Sequence, residues 1–136
     1  MINPWKQTDD KQTAEEISGV LFPDIRKDVL PSGMTFDTWF AMPGIIEARY
    51  HNGTDRLIIR KTCRDTERLS GDYNTYPAAF EHPAGSFILQ CRGTADSVNT
   101  AEFNVLGGRA SIVMHPGIPG KGLSLKQLEA LAAQFI

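Results

Sequence analysis

The stretch IEARYHNGTDRLIIRKTC, Ile46 to Cys63, decides the fold. Ile46, Ala48 and Tyr50 alternate with Glu47 and Arg49, a period of two that sends the two sets to opposite faces of a strand. His51-Asn52-Gly53-Thr54 then interrupts the pattern. Asn-Gly between two alternating runs is the strongest short hairpin signal, because both residues tolerate positive φ. The chain returns as a strand over Arg56 to Cys63. Strands joined by so short a turn run antiparallel.

Working outward, the same period recurs. Met34, Phe36, Thr38 and Phe40 alternate with Thr35, Asp37 and Trp39, and Pro43-Gly44 supplies a turn. Tyr76 to Glu81 reads as a strand, and His82-Pro83-Ala84-Gly85 as a turn with proline pre-set at its second position. Ser86 to Arg92 follows, with Phe87, Leu89 and Cys91 on one face. Gly93 to Asn99 reads as a polar loop. Ala101 to Leu106, Gly107-Gly108 and Arg109 to His115 form a last hairpin, with Phe103 and Val105 in parity, as are Ala110, Ile112 and Met114. Helices flank the strands. Asp9 to Val20 is one, capped by Asp9 with Gln12 three residues on, and stopped by Gly19. Residues 22–33, with Pro23, Pro31 and Ser32-Gly33, are a connection. The second helix starts at a Ser124/Gln127 capping box and carries Leu125, Leu128, Leu131, Ala132 and Phe135 as an apolar stripe. Consecutive strands between two helices predict an α+β fold: a curved antiparallel meander of about six or seven strands with both helices packed on it.

The chain has 136 residues, of which 41% are hydrophobic, so it reads as one domain over 1–136 with its own core. The net charge of -2 argues against a nucleic-acid partner. Arg56, Arg60, Lys61, Arg64 and Arg68 are interleaved with Asp55, Asp65, Glu67 and Asp72, the mixture of a solvated face. No apolar run has membrane-spanning length. Met1 to Lys11 lacks the apolar stretch of a signal peptide, so the expected compartment is the cytoplasm, or the cell envelope if a leader was removed.

Catalytic and metal patterns are weak. Asp65, Glu67, Asp72 and Asn74 offer oxygens at irregular intervals with no closing glutamate, unlike a calcium loop. His51, His82 and His115 lack zinc spacing and read as surface residues. Ser70-Gly71 is no nucleophile elbow, and Gly107-Gly108 is no phosphate loop. Cys63 and Cys91 read as two buried thiols; for Cys63 the parity with Leu57 and Ile59 outweighs the neighbouring Lys61 and Arg64. No metal and no cofactor is expected.

The segment EARYHNGTDRLIIRKTCRDTERLSGDYNTY resembles a family of small uncharacterised bacterial proteins with a Glu-x-x-Tyr strand, an Ile-x-Ile-Arg-Lys strand and Ser-Gly-Asp-Tyr-Asn-x-Tyr. The opening NPW and the closing GLSLKQLEALAAQF fit the same pattern. The family is similar to the domain-of-unknown-function group numbered 4367. That resemblance implies a curved antiparallel sheet like those of envelope lipoprotein carriers and anti-sigma regulators, and brings no catalytic residues. AEFNVLGGRASIVMHPG departs from the family's Trp- and Tyr-containing penultimate strands, with Phe103 and Ser111 in their place.

The loop from residue 64 to 77 exceeds what a turn requires, and such loops often carry function. Gly71 suits positive φ, and Asp72 and Asn74 suit Asx turns. Tyr73 and Tyr76 suit a sheet edge, and Arg60 or Lys61 suits a pair with Asp72. The candidate binding residues are therefore Arg60, Lys61, Ser70, Asp72, Tyr73, Asn74 and Tyr76. The expected function is a non-catalytic binding or interaction module for a protein or small molecule. The alternatives are a carrier-like domain with an apolar pocket on the concave sheet face, and a small enzyme using Asp72, Tyr73 and a histidine.

Overall fold

A computed structural model describes residues 4–64, 69–72 and 74–136. The elements in chain order are β1 (Lys6–Thr8), α1 (Lys11–Ser18), a 3-10 turn (Lys27–Val29), β2 (Thr35–Met42), β3 (Ile45–His51), β4 (Arg56–Thr62), β5 (Ala78–Ala84), β6 (Phe87–Thr94), β7 (Ser97–Val105), β8 (Gly108–His115) and α2 (Leu125–Ala133). The strands form one eight-stranded sheet in the order β1-β2-β3-β4-β8-β7-β6-β5, antiparallel at every pairing. Two four-strand meanders thus meet where β4 pairs with β8. The sheet has eight strands rather than six or seven. The addition is β1, a three-residue edge strand whose polar side chains carry no alternation to read.

The hairpin register follows the opening stretch: His51 faces Arg56 and Glu47 faces Arg60. Asn52 closes the loop by accepting from the Asp55 amide at 2.8 Å and the Thr54 amide at 3.2 Å. Trp39, Ala48, Ile59, Ile112, Ala101 and Cys91 lie in one cross-strand row on the inner face. They belong to a single buried cluster, which also takes Ala14 of α1 and Leu128, Leu131 and Ala132 of α2. Burial of each large aliphatic side chain contributes about 2 kcal/mol.

Five local expectations are corrected. β2 carries a bulge between Phe36 and Thr38, so Trp39 and Ala41 point inward with Phe36, while Thr38 turns out toward Gln7 and the Thr8 carbonyl. α1 is capped by Asp10, which accepts from the Thr13 amide at 2.9 Å; Asp9 does not cap it. Pro83 lies inside β5, tolerated because β5 is an edge strand and needs no N–H on its open side. The turn is Gly85-Ser86, with Gly85 at φ 62°. Residues 97–99 are strand, since β6 and β7 join directly with a bulge between Arg92 and Gly93. Cys63 is exposed, because β4 ends at Thr62, whose hydroxyl donates to the Gly44 carbonyl at 2.8 Å; Cys91 is buried, which pushes its thiol up to about 11. The capping box of α2 forms as its sequence predicts. Among the described residues no helix is long and apolar enough to cross a membrane.

Candidate functional site

Among the described residues both helices pack on the inner face, and the outer face of the sheet is covered in part by the chain at 69–72 and 74–76. Glu47, 1% exposed, takes the Nε of Arg60 on one carboxylate oxygen and the Nε of Arg49 on the other, each at 2.5 Å. Arg49 lies over the Phe40 ring and Arg60 over the Trp5 ring. Arg60 also donates to the Leu69 carbonyl at 3.0 Å. Two strands away, Glu102 accepts from the Leu69 amide at 3.0 Å and the Ser70 hydroxyl at 3.2 Å. These contacts lay the segment flat across β4, β8 and β7.

Asp72 is the hub. It is 8% exposed and accepts from Thr100 Oγ1 at 2.6 Å, from the Asn74 amide at 3.0 Å in an Asx turn, and from the Tyr76 hydroxyl. Arg92 donates to the Asp72 carbonyl at 2.7 Å. Burial pushes the Asp72 carboxyl up, but the hydroxyls of Thr100 and Tyr76, the Asn74 amide and the Arg92 charge prevail, and it sits below the usual carboxylate value. Gly71 has φ 67°, as the motif requires. Gly117 brings a second loop so close that an added Cβ would overlap the Tyr76 hydroxyl and crowd the Asn74 amide.

Arg60, Ser70, Asp72, Asn74 and Tyr76 are thus brought together: Arg60, Ser70 and Asp72 tie the segment to the sheet, and Asn74 and Tyr76 bond Asp72. Tyr73 lies outside the described residues, as do Asp65, Glu67 and Arg68. Lys61 does not join them. It points to the inner face and donates to the Leu21 carbonyl at 2.7 Å. Arg60 and Lys61 bond the Leu69 and Leu21 carbonyls instead of Asp72; Thr100 donates to the Asp72 carboxylate and Arg92 to its backbone carbonyl, two residues absent from the candidates. The histidines are dispersed. His51 and His115 flank Arg56 in one cross-strand row beside a polar recess of about 360 Å³, whereas His82 meets Glu129 of α2 at 2.8 Å. Among the described residues no group of three or more His, Cys, Asp or Glu is placed to hold a metal ion.

The inner face holds a second site that the candidate residues miss. A cleft of about 350 Å³ opens between the start of β2, the end of β3 and the connection that includes the 3-10 turn. Phe36 packs against Trp39 with ring centroids 5.3 Å apart and edge-on against Tyr50 at 5.7 Å. Met34, Leu30, Ile25 and Pro23 complete an apolar lining, and Lys11, Asp24 and Lys27 stand at the rim. Tyr50 is 6% exposed, and its hydroxyl makes no hydrogen bond among the described residues. Burial pushes that phenol up to about 12, so it remains a donor at neutral pH. Lys11 and Asp24 neutralise each other at 2.6 Å, and Lys27 has no such partner among the described residues.

The cleft is held by long-range ties. Phe22 stacks edge-on against Trp39 at 5.1 Å and Phe135 at 5.9 Å, and its amide donates to Glu15 Oε2 at 2.7 Å. The Lys61–Leu21 bond anchors the same connection, so Lys61 shapes this site instead of the outer one. Burial lowers the Lys61 ammonium, with Glu15 acting in opposition. The bulge in β2 is what aligns Phe36 and Trp39 on one face, and an uninterrupted period of two hides that pairing. No known family, curated protein or solved structure matches this chain in the comparisons made.

Proposed function

We propose that this chain is a non-catalytic binding module whose contact site is the aromatic cleft beneath the 23–36 connection. The observation that carries the reading is Tyr50: a phenol hydroxyl without a hydrogen-bond partner among the described residues, set in an apolar cleft of about 350 Å³. Clefts of that size, mostly apolar with a few placed polar groups, are the usual form of a small-molecule site. The reading differs from the carrier-like alternative, which needs an inner sheet face left open by α2, because Leu128, Leu131 and Ala132 fill that face; it is preferred over a partner surface built on residues 64–77. Among its described residues the Ser70 hydroxyl bonds Glu102, and the Asp72 carboxylate takes the Thr100 and Tyr76 hydroxyls, which suits a structural cover better than a contact surface. The resemblance to the 4367 group is likewise a proposal, and what it anticipates is the curved antiparallel sheet rather than a ligand.

The test is a chemical-shift screen of neutral and charged aromatic fragments against the isotope-labelled protein. Binding is expected to move amide resonances of Ile25, Leu30, Phe36, Trp39 and Tyr50, with the fragment recovered chemically unaltered. Shifts centred on Asp72, Asn74 and Thr100 would return the site to the outer face. A screen in which no fragment perturbs the cleft would reject the reading.

A further inference from the structure

Resting on that reading, the chemistry of the cleft specifies its ligand. We infer that the cleft takes a small aromatic carboxylate, with its ring against Phe36 and Trp39 and its acid group received by the Tyr50 hydroxyl and the Lys27 ammonium. The ring follows from the lining. Phe36 and Trp39 meet at 47°, and Phe36 stands at 80° to Tyr50, and all three rings line the open cleft, where a further ring can stack face-to-edge or offset. The volume of about 350 Å³ lies in the range of small-molecule sites and admits a ligand of one or two rings.

The acid follows from unbalanced polarity. Among the polar groups of the lining, the Tyr50 hydroxyl and the Lys27 ammonium have no hydrogen-bond partner among the described residues, and two ammonium groups, Lys11 and Lys27, stand against one carboxylate. The one carboxylate of the lining, Asp24, is already bound to Lys11 at 2.6 Å. The lining therefore carries an excess of positive charge, which an anionic ligand offsets and a cationic one opposes. A carboxylate also accepts from the phenol, and hydrogen bonds to charged groups are stronger than neutral ones.

The experiment compares 2-naphthoate with its neutral isostere 2-naphthamide by chemical-shift titration. Both are expected to perturb the cleft resonances, with the acid about tenfold tighter. Lys27→Met, at an exposed position where folding is not at stake, should bring the two ligands within about twofold of each other. Tyr50→Phe should weaken both, since each presents an acceptor to the phenol. Equal binding of acid and amide at the cleft of the wild type would overturn the carboxylate assignment and leave the binding-module reading standing. An acid preference that survives Lys27→Met would also overturn it. Absence of cleft shifts with either compound would overturn both.

Discussion

At Asp72, one side chain organises an entire loop. Thr100, Tyr76 and the Asn74 amide all donate to a carboxylate that is 8% exposed. Replacing it with alanine leaves those donors without their acceptor in a largely buried place, where each unmet group costs about 1–3 kcal/mol. Asp72→Ala is therefore expected to lower the unfolding free energy by about 3 kcal/mol, read from urea denaturation; a midpoint unchanged from wild type would show that the loop is not held by this residue. The sign of the pH effect follows from the lowered carboxyl. Its stabilisation is fully present above the unfolded value near 3.8 and is lost as pH falls through the folded value below it. Asp10 and Asp24 shift in the same direction, so the difference between wild type and Asp72→Asn, followed below pH 5, isolates Asp72. That difference should shrink as the solution becomes more acid. Glu47 is the second such residue. Removing a buried carboxylate from between two arginines costs about 3 kcal/mol once their partial exposure is allowed for, so Glu47→Ala should unfold at a clearly lower urea concentration. The register of the opening hairpin already places Glu47 opposite Arg60, a signal the sequence contains once the turn is recognised.

Elements were legible where their signals are local. The α2 capping box, the β3–β4 hairpin and the β7–β8 hairpin are written in adjacent residues, and they form as read. Ser124→Ala should cost about 1 kcal/mol, seen as a lower melting temperature, because the Gln127 amide loses its acceptor. What misled was an interruption or a lack of pattern. The β2 bulge shifts the parity of Trp39, Pro83 is acceptable only because β5 is at the edge, and β1 has no apolar side to reveal it. Close approaches between strands also escape local reading. At Gly108 an added Cβ would overlap the Thr62 carbonyl of the neighbouring strand end. Gly108→Ala is thus expected to destabilise by about 3 kcal/mol, at the upper end of overpacking costs, whereas Leu106→Ala two residues away, at 98% exposed, should stay within about 0.5 kcal/mol of wild type.

On the scale of the whole molecule, two consecutive meanders become one sheet because β4 pairs with β8. Amide exchange should be slowest in β3, β4, β8 and β7, and fastest in the edge strands β1 and β5; uniformly fast exchange in β4 and β8 would contradict a central seam. The sheet itself separates the two candidate sites: the polar cover at 69–72 and 74–76 lies on the outer face, and the aromatic cleft opens on the helix-bearing face. By itself, the amino-acid order determined an α+β chain of antiparallel hairpins with helices at both ends. Periodicity, capping and turn chemistry act over a few residues, and those residues are neighbours in the chain. Tertiary structure alone decided that β4 lies against β8, that Asp72 is received by Thr100 and Arg92 rather than by Lys61, and that Phe36, Trp39 and Tyr50 border a cleft beneath the 23–36 connection. Those outcomes bring together side chains up to dozens of residues apart, and their partners are selected by packing and sheet register, which no short window of sequence records.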